Sequence, residues 1–433
     1  MARAGKIAAT LLVLLLGGCR SQTPLPHLLP PGERVPVVLV PGITGSLLAD
    51  PVSGKVVWGR GFNLVSPHDH GHELALPLTG SDRLVEAGVI EKMRLFEVIE
   101  KPVYGPVAEL LEMNGYRRGQ VAAPAASDDI YLFGYDWRQD NVASAKHLAA
   151  LLERIAAAHG RREVDLICQS NGAHLCRWVM KFAGLSLEQV EAGQVPAPGF
   201  AVRRLILVGT SNGGSLRILR ELHRGRSYVP LIGRRIEPEV LFSMPSVYQD
   251  LPFYNRRPFL DEQGRNLPLD LYDPALWRQD SFSIFGEAAR RRADLRPDLF
   301  GDEAARFTFL SRALDRARRF QEQLSRDLPI GTTRLFSIQN TYQPTPHAVV
   351  LRGNGAATEL LFTGDPELEK NGYLRALAAA PGDGHATVES QLFLSPTERA
   401  AFGAPPYFVS GEHFELILDP GALRRLLDFL AGP

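Results

Sequence analysis

The chain has 433 residues, 45% of them hydrophobic and 22% charged, which is the balance of an ordinary globular protein and argues against disorder. Its 48 basic residues are matched by 48 acidic ones, and no zinc-finger, RNA-recognition or sustained basic-helix pattern stands out, so composition argues against nucleic-acid binding. The length fits one large domain with insertions, or two domains.

At the N-terminus, Arg3 and Lys6 precede an apolar run from Ile7 to Leu16, shorter than the about 20 residues of a membrane-spanning helix and proportioned like a secretory signal. It ends in Leu16-Gly17-Gly18-Cys19, similar to a bacterial lipobox, in which small residues fit the signal peptidase and the cysteine thiol receives diacylglycerol. On that reading residues 1–18 are removed and lipidated Cys19 becomes the mature N-terminus. The alternative is an ordinary signal peptide with an incidental cysteine. Arg20 follows where an aspartate would retain a lipoprotein at the inner membrane. The expected location is therefore the cell envelope, anchored to an outer membrane and facing the periplasm or the exterior. Residues 19–36, with Pro24, Pro26, Pro30 and Pro31, read as a tether.

Val35 to Val40 reads as a buried strand, and Pro41-Gly42-Ile43-Thr44-Gly45 turns sharply out of it. Between Val142 and His159, apolar Leu148, Leu151, Leu152 and Ile155 recur at helical spacing, and Gly160 stops the helix. Val164, Leu166 and Ile167 form another buried strand, followed by a helix whose inner stripe is Ala173, Leu175, Cys176, Val179 and Met180. Leu205 to Val208 and Leu335 to Ile338 add strands, and a helix around Leu423 to Leu430 closes the chain. Helices feeding buried strands predict an α/β fold with a mostly parallel sheet and helices on both faces.

The stretch between Val208 and Leu335 is too long for a simple crossover, so residues 214–330 are expected to form an inserted cap or lid over the site. It begins with Arg217, Arg220, Arg224, Arg226, Arg234 and Arg235 interleaved with apolar residues that include Leu231 and Ile232. From Ala304 to Leu324, Phe307, Leu310, Leu314, Ala317 and Phe320 keep helical spacing beside Arg312, Arg316, Arg318 and Arg319. Two readings stay open. The arginines line solvated helix faces, or they belong to a mobile basic lid that meets anionic lipid headgroups. Beyond Cys19 the remaining cysteines are Cys168 and Cys176. A helical rise of ~1.5 Å per residue over the intervening turns is expected to hold them too far apart for a disulfide, as buried free thiols.

Cys168-Gln169-Ser170-Asn171-Gly172 lies between strand and helix and nearly matches G-x-S-x-G, the nucleophile elbow, with Cys168 in place of the first glycine. A serine hydroxyl is a poor nucleophile, so Ser170 needs a histidine to take its proton and an acid to orient that histidine. Asp383, in the turn Pro381-Gly382-Asp383-Gly384, and His413, shortly before the closing helix, supply them in the order Ser, Asp, His. Asp365 is the second candidate for the acid. His385 follows Asp383 too closely to present its ring to a separate serine, and His174 faces along the elbow helix. Glu412, next to His413, is expected at the surface. The tetrahedral oxyanion requires two backbone amides, and Ile43 and Asn171 occupy the two positions.

Taken together, these landmarks resemble the lecithin:cholesterol acyltransferase family, which includes lysosomal phospholipase A2 and phospholipid:diacylglycerol acyltransferase. Val38 to Leu47 is similar to the family's opening V-P-G-x-x-G-(N/S)-x-L, and Tyr135-Asp136-Trp137-Arg138 matches its Y-D-W-R. Gly209 to Ser215 resembles its P-x-G-G-S element with Ser211 in place of the proline. Pro245 to Pro252 resembles its P-S-x-x-x-L-L-P element with Asp250 in place of a leucine. The elbow differs by Cys168 and by Gln169 in place of a histidine. The acid turn is the longer Asp383-Gly384-His385-Ala386-Thr387-Val388 in place of D-G-T-V.

The resemblance implies an α/β-hydrolase core in two parts, residues 37–213 and 331–433, around the 214–330 insertion, with a membrane-facing segment at about 50–100. It implies Ser170, Asp383 and His413 as the triad and Ile43 and Asn171 as the oxyanion site. It also implies Trp58 in the membrane-facing segment and Tyr135 and Trp137 at the acyl pocket, while Asp136 and Arg138 serve equally well to pack core against cap. The family's cysteine pair in that segment has no counterpart here. The leading expectation is a lipid-anchored serine esterase acting on phospholipid or related lipid esters at a membrane surface, with no metal or other cofactor. A second is a carboxylesterase on soluble esters. A third, prompted by Cys168, is an inactive envelope lipoprotein that binds lipid or a protein partner.

Overall fold

The computed structural model describes residues 34–60, 71–79, 82, 84–95, 99–227 and 235–432. The signal peptide, Cys19 and the tether up to residue 33 lie outside the described residues, as do Leu231, Ile232 and Arg234. The end of the tether belongs to the folded body. Arg34 to Pro36 are buried, with Arg34 paired to Asp129 (3.6 Å) and set over the Tyr116 ring.

Six strands form one parallel sheet: β1 (Val37–Val40), β2 (Ile130–Leu132), β3 (Glu163–Gln169), β4 (Ala201–Val208), β5 (Arg334–Gln339) and β6 (Tyr407–Phe408), in the order β2-β1-β3-β4-β5-β6. The helices that matter to the site are α1 (Gly105–Met113), α2 (Asn141–His159), α3 (Gly172–Phe182), α4 (Leu216–Arg224), α5 (Glu303–Leu324) and α6 (Pro420–Ala431). Because successive strand side chains point to opposite faces, the apolar runs of the central strands bury both. Val38, Val40, Leu166, Cys168, Leu205 and Leu207 join the cluster that contains α2 and α3. Val37, Leu39, Ile167, Ile206, Val208, Phe336 and Ile338 join the one that contains α1 and α6.

The expected helix ends have visible causes. The Asp140 carboxylate accepts from the Val142 and Ala143 amides to start α2, and Gly160, at φ 60°, ends it. Residues Ser46–Ala49, Val56–Trp58 and Val85–Val89 form a small antiparallel sheet. It meets the loop after β1 through the Ile90 amide, which donates to the Gly45 carbonyl (2.9 Å). Among the described residues no helix is long and apolar enough to cross a membrane.

Among the described residues between β4 and β5, none joins the main sheet. Within this insertion α5 buries Leu310, Leu314, Ala317, Phe320 and Leu324, and Phe320 stacks on Trp178 of α3 (5.3 Å). Its arginines reach carboxylates: Arg316 pairs with Asp140 (2.6 Å) and Glu188 (2.7 Å), Arg318 with Asp315 (3.0 Å), and Arg319 with Glu191. In the first stretch Arg217 and Arg226 pair with Glu221, Arg224 with Asp365, and Arg235 with Glu237. Many of the insertion's arginines are thus engaged by carboxylates. Under the elbow helix, Arg177 and Lys181 clasp the buried Glu398 (2.7 and 2.9 Å), tying α3 to the segment before β6. Burial alone would raise the Glu398 carboxyl, but the two cations bring it down to about 2.

The expectation of free thiols is overturned. Cys168 and Cys176 form a disulfide with their Cα atoms 6.6 Å apart. The error lay in counting helical rise as separation. The chain reverses at the elbow, so α3 runs back along β3, and Cys168 already points to the face on which α3 packs. Two tests follow from this. Alkylation of the unreduced, unfolded protein should leave Cys168 and Cys176 unmodified, as read by mass. Replacing both by alanine should lower unfolding free energy by about 2.5 kcal/mol, from the entropy of closing so short a loop, as read by denaturant titration. Two alkylated thiols in the unreduced protein would refute the bridge.

Candidate active site

β3 ends at Gln169, and the chain turns so abruptly that Ser170 has φ 54°, in the left-handed region that non-glycine residues rarely occupy. The Ser170 amide donates to the Val208 carbonyl (3.0 Å), and α3 starts two residues later. Clearance decides which neighbours fit. A Cβ on Gly172 would lie 2.6 Å from the Val40 and Pro41 carbonyl oxygens, and one on Gly42 would lie 2.7 Å from the Ser170 Cβ. Cys168 replaces the elbow's usual first glycine without crowding the turn, because its side chain enters the layer beneath α3 and ends in the disulfide.

The structure brings Ser170, His413 and Asp383 together. His413 Nε2 lies 2.9 Å from Ser170 Oγ, and His413 Nδ1 lies 2.7 Å from Asp383 Oδ2. Asp383 follows the short strand Ala379–Gly382, which pairs with Gln343–Pro346. Its second oxygen accepts the amides of His385 (2.8 Å) and Ala386 (2.7 Å), so the turn itself aims the carboxylate. His413 lies in the loop between β6 and α6. All three side chains are nearly enclosed, with Ser170 7%, Asp383 2% and His413 4% exposed. With Nδ1–H donated to Asp383, the Nε2 lone pair faces the hydroxyl proton of Ser170, which is the arrangement that generates an alkoxide nucleophile.

The amides of Ile43 and Asn171 flank this serine from the loop after β1 and from the elbow, and neither donates to an acceptor among the described residues. The Gly42 amide, by contrast, donates to the Tyr104 hydroxyl (3.0 Å), which donates to Gln169 Oε1 (2.6 Å). Gln169 therefore ties the elbow to the loop that carries Ile43. Burial pushes the Tyr104 phenol well above its ordinary value, so it remains a donor. A second tie runs through Tyr135, which donates to the Pro41 carbonyl (3.0 Å) and accepts from Asn171 Nδ2 (3.2 Å). The Asn171 side chain also exchanges two amide hydrogen bonds with Asn141 (2.9 and 3.1 Å).

Trp58, Trp137 and Tyr135, expected from the resemblance to contact substrate or membrane, are 1%, 0% and 2% exposed. The tryptophans pack edge to face (5.6 Å), and their indoles donate to the Thr44 (3.0 Å) and Ser46 (3.3 Å) carbonyls. All three brace the segment after β1 through its carbonyls. Arg138 is fully buried, paired with Asp136 (2.7 Å) and Asp82 (2.6 Å), which favours packing of core against its neighbouring segment. Asp365 is taken up by Arg224 and the Phe362 amide. His174 lies between the Ser211 carbonyl (3.0 Å) and Asn171 Oδ1 (3.2 Å), and burial brings it down to about 3, so it stays neutral and its one N–H donates to only one of the two. Glu412 is exposed. Among the described residues no group of three or more His, Cys, Asp or Glu side chains could hold a metal ion.

Sequence reasoning missed Tyr104, Asn141 and the part played by His385, whose ring stacks on His413 (4.5 Å between centroids). The available signals were weak. They were a glutamine beside the elbow serine that needs a buried donor, and an extra histidine in the acid turn.

No family model matches the chain, and no curated protein matches its sequence. Among solved structures it is similar to one in the Tle4–Tli4 complex, at 14% identity over 92% of this chain and 98% of that chain, with a TM-score of 0.62. Mature Bacillus licheniformis lipase BlEst2 aligns at 12% identity over 94% of this chain and 96% of that one, with a TM-score of 0.34. Aspergillus fumigatus lipase B aligns at 12% identity over 71% and 67%, with a TM-score of 0.23. The chain has the α/β-hydrolase fold, as the first of these likenesses and the parallel sheet with its strand–turn–helix at Ser170 show.

The Tyr104 bridge is testable. Tyr104→Phe leaves the Gly42 amide and Gln169 Oε1 buried without partners, at about 1–3 kcal/mol for each group. A lower unfolding midpoint and about tenfold slower labelling by a fluorophosphonate are expected. Unchanged values of both would show that the bridge does not hold the loop.

Proposed function

We propose that the protein is a serine esterase that hydrolyses or transfers the acyl group of a phospholipid or related lipid ester, in the manner of the lecithin:cholesterol acyltransferase-like enzymes its motifs resemble. The observation that carries this reading is the hydrogen-bonded run Ser170–His413–Asp383 on a strained elbow beside two backbone amides that have no acceptor among the described residues. Ser170 Oγ attacks the ester carbonyl carbon while its proton passes to His413 Nε2. The amides of Ile43 and Asn171 bind the oxyanion, and Asp383 stabilises the imidazolium. Collapse breaks the bond to the alcohol, which leaves with the proton from His413 and leaves an acyl-Ser170. Water or a lipid alcohol then attacks this ester, giving its proton to His413. The acyl group departs as a fatty acid or as a new ester, and Ser170 recovers its proton.

The lipid substrate is supported by the motif resemblance and by the lipobox-like N-terminus. In this reading the Cys19 lipid tethers the enzyme to a membrane of the cell envelope, the outer one where it exists. A carboxylesterase of soluble esters is the second reading. It is favoured by the ion pairs that occupy Arg217, Arg224, Arg226, Arg316 and Arg319 and offset their charge.

The decisive experiment labels the full chain with a fluorophosphonate. Ser170→Ala is expected to abolish the label, and Asp383→Asn to slow turnover by about 10⁴-fold. Labelling that survives Ser170→Ala defeats the proposal. Incubation with defined phospholipids, with and without an alcohol acceptor, then separates hydrolysis from transfer by product mass. Turnover of short soluble esters with none on phospholipid selects the second reading.

A further inference from the structure

Three residues at which this chain leaves the motif pattern, Ser211, Asp250 and His385, are far apart in sequence and meet behind the catalytic histidine. The Ser211 hydroxyl donates to Asp250 Oδ1 (2.5 Å), and Asp250 Oδ2 lies 3.7 Å from His385 Nε2. The His385 ring stacks on that of His413, with centroids 4.5 Å apart and planes 28° from parallel. All three residues are buried.

The backbone of His385 is pinned as well. Its amide donates to Asp383 Oδ1 (2.8 Å), and its carbonyl accepts from the Ser215 hydroxyl. Arg217 of α4 donates to the Gly384 carbonyl (3.2 Å). The residue that aims the acid through its amide therefore also presents its ring to the base.

We propose that His385 is a positioning residue: its ring is the flat wall that keeps His413 in the plane joining Ser170 to Asp383, with the buried Ser211–Asp250 pair behind it. This rests on the reading of His413 as the base. His413 sits in a loop, and its bond to Ser170 is remade each time the proton is transferred. Between those events only Asp383 and packing hold the ring. Phe414 meets it edge-on (5.1 Å), whereas His385 supplies the face.

The charges agree with this role. Burial, and then His413, Arg217 and Arg226, push His385 well below its ordinary value, so the wall stays neutral while His413 becomes a cation. An aromatic face attracts such a cation, and a second imidazolium would repel it. Burial pushes the Asp250 carboxyl up to about 8, with Glu221 and Asp383 adding to the rise and Ser211 and Arg226 opposing it. Near neutral pH Asp250 is therefore protonated and adds no charge beside the triad.

The test compares His385→Leu, which fills the space without a flat ring, with His385→Phe, which restores the stack. On a p-nitrophenyl butyrate assay, His385→Leu is expected to lower kcat by about 10- to 100-fold (part of the roughly 10²–10⁴-fold gain from positioned proton transfer) with KM little changed. His385→Phe is expected to recover most of it. In a Ser170→Ala background, where no turnover is needed, the low-field proton resonance of the His413–Asp383 bond should broaden by exchange in His385→Leu and persist in His385→Phe. If His385→Leu does not fold, His385→Gln replaces it with the same expectations. Wild-type behaviour in the non-aromatic variant, or equal damage in His385→Phe, overturns the proposal. Loss of serine-dependent turnover in the unaltered chain would instead defeat the esterase reading, while the resonance comparison would still decide whether His385 holds His413.

Discussion

Ser170 occupies a left-handed backbone conformation, and the surrounding structure exists in large part to hold it there. A non-glycine residue at φ 54° costs on the order of 1–3 kcal/mol unless its neighbours over-determine it. Here the constraint is applied from several sides: a β4 carbonyl receives its amide, and Gly42 and Gly172 supply clearance that a methyl group would remove. The Cys168–Cys176 bridge joins the strand before the turn to the helix after it. The strain is useful because it raises a hydroxyl out of a buried sheet to face a histidine from a distant loop.

The same turn organises the buried polar groups. Tyr104 with Gln169, and Tyr135 with Asn171, connect the elbow to the loop after β1, so the Ile43 and Asn171 amides belong to one rigid unit. Rigidity matters there because donors that need not reorganise stabilise a developing oxyanion best. The ion cluster of Arg177, Lys181 and Glu398 performs the corresponding task for the helix, fixing α3 to the segment that leads into β6 and, beyond it, His413. Aromatic bulk, including Trp58 and Trp137, fills the space behind the oxyanion loop. That explains why side chains of a kind often found at lipid-facing surfaces are buried here.

Patterns set by the local period of the chain could be read directly. The apolar runs of β1, β3, β4 and β5, the helical stripe of α2 with its Gly160 stop, and the apolar face of α5 all follow from burial of one face or of both. The order Ser170, Asp383, His413 was legible for a different reason, since the serine sits in an elbow motif and the acid and histidine follow it in tight turns in the chain order such a site uses. What could not be read was direction after a reversal. Linear counting placed Cys176 away from Cys168, whereas the elbow brought it alongside. For the arginines of the insertion the sequence left two readings open, solvated faces or a basic lid, and it could not show that many meet carboxylates contributed by other segments.

By itself, the sequence determined the alternation of strand and helix, the position of the strained serine, and the groups available to activate it, because these depend on side-chain type and short-range period. Only the tertiary structure decided which buried groups meet: that His413 lies within hydrogen-bond reach of both Ser170 and Asp383, that Cys168 closes on Cys176, and that His385 turns from bystander to neighbour of the base. The His413–Ser170 contact joins residues 243 positions apart, and even the contacts between nearer residues are set by how the sheet stacks its layers rather than by any local preference of the chain.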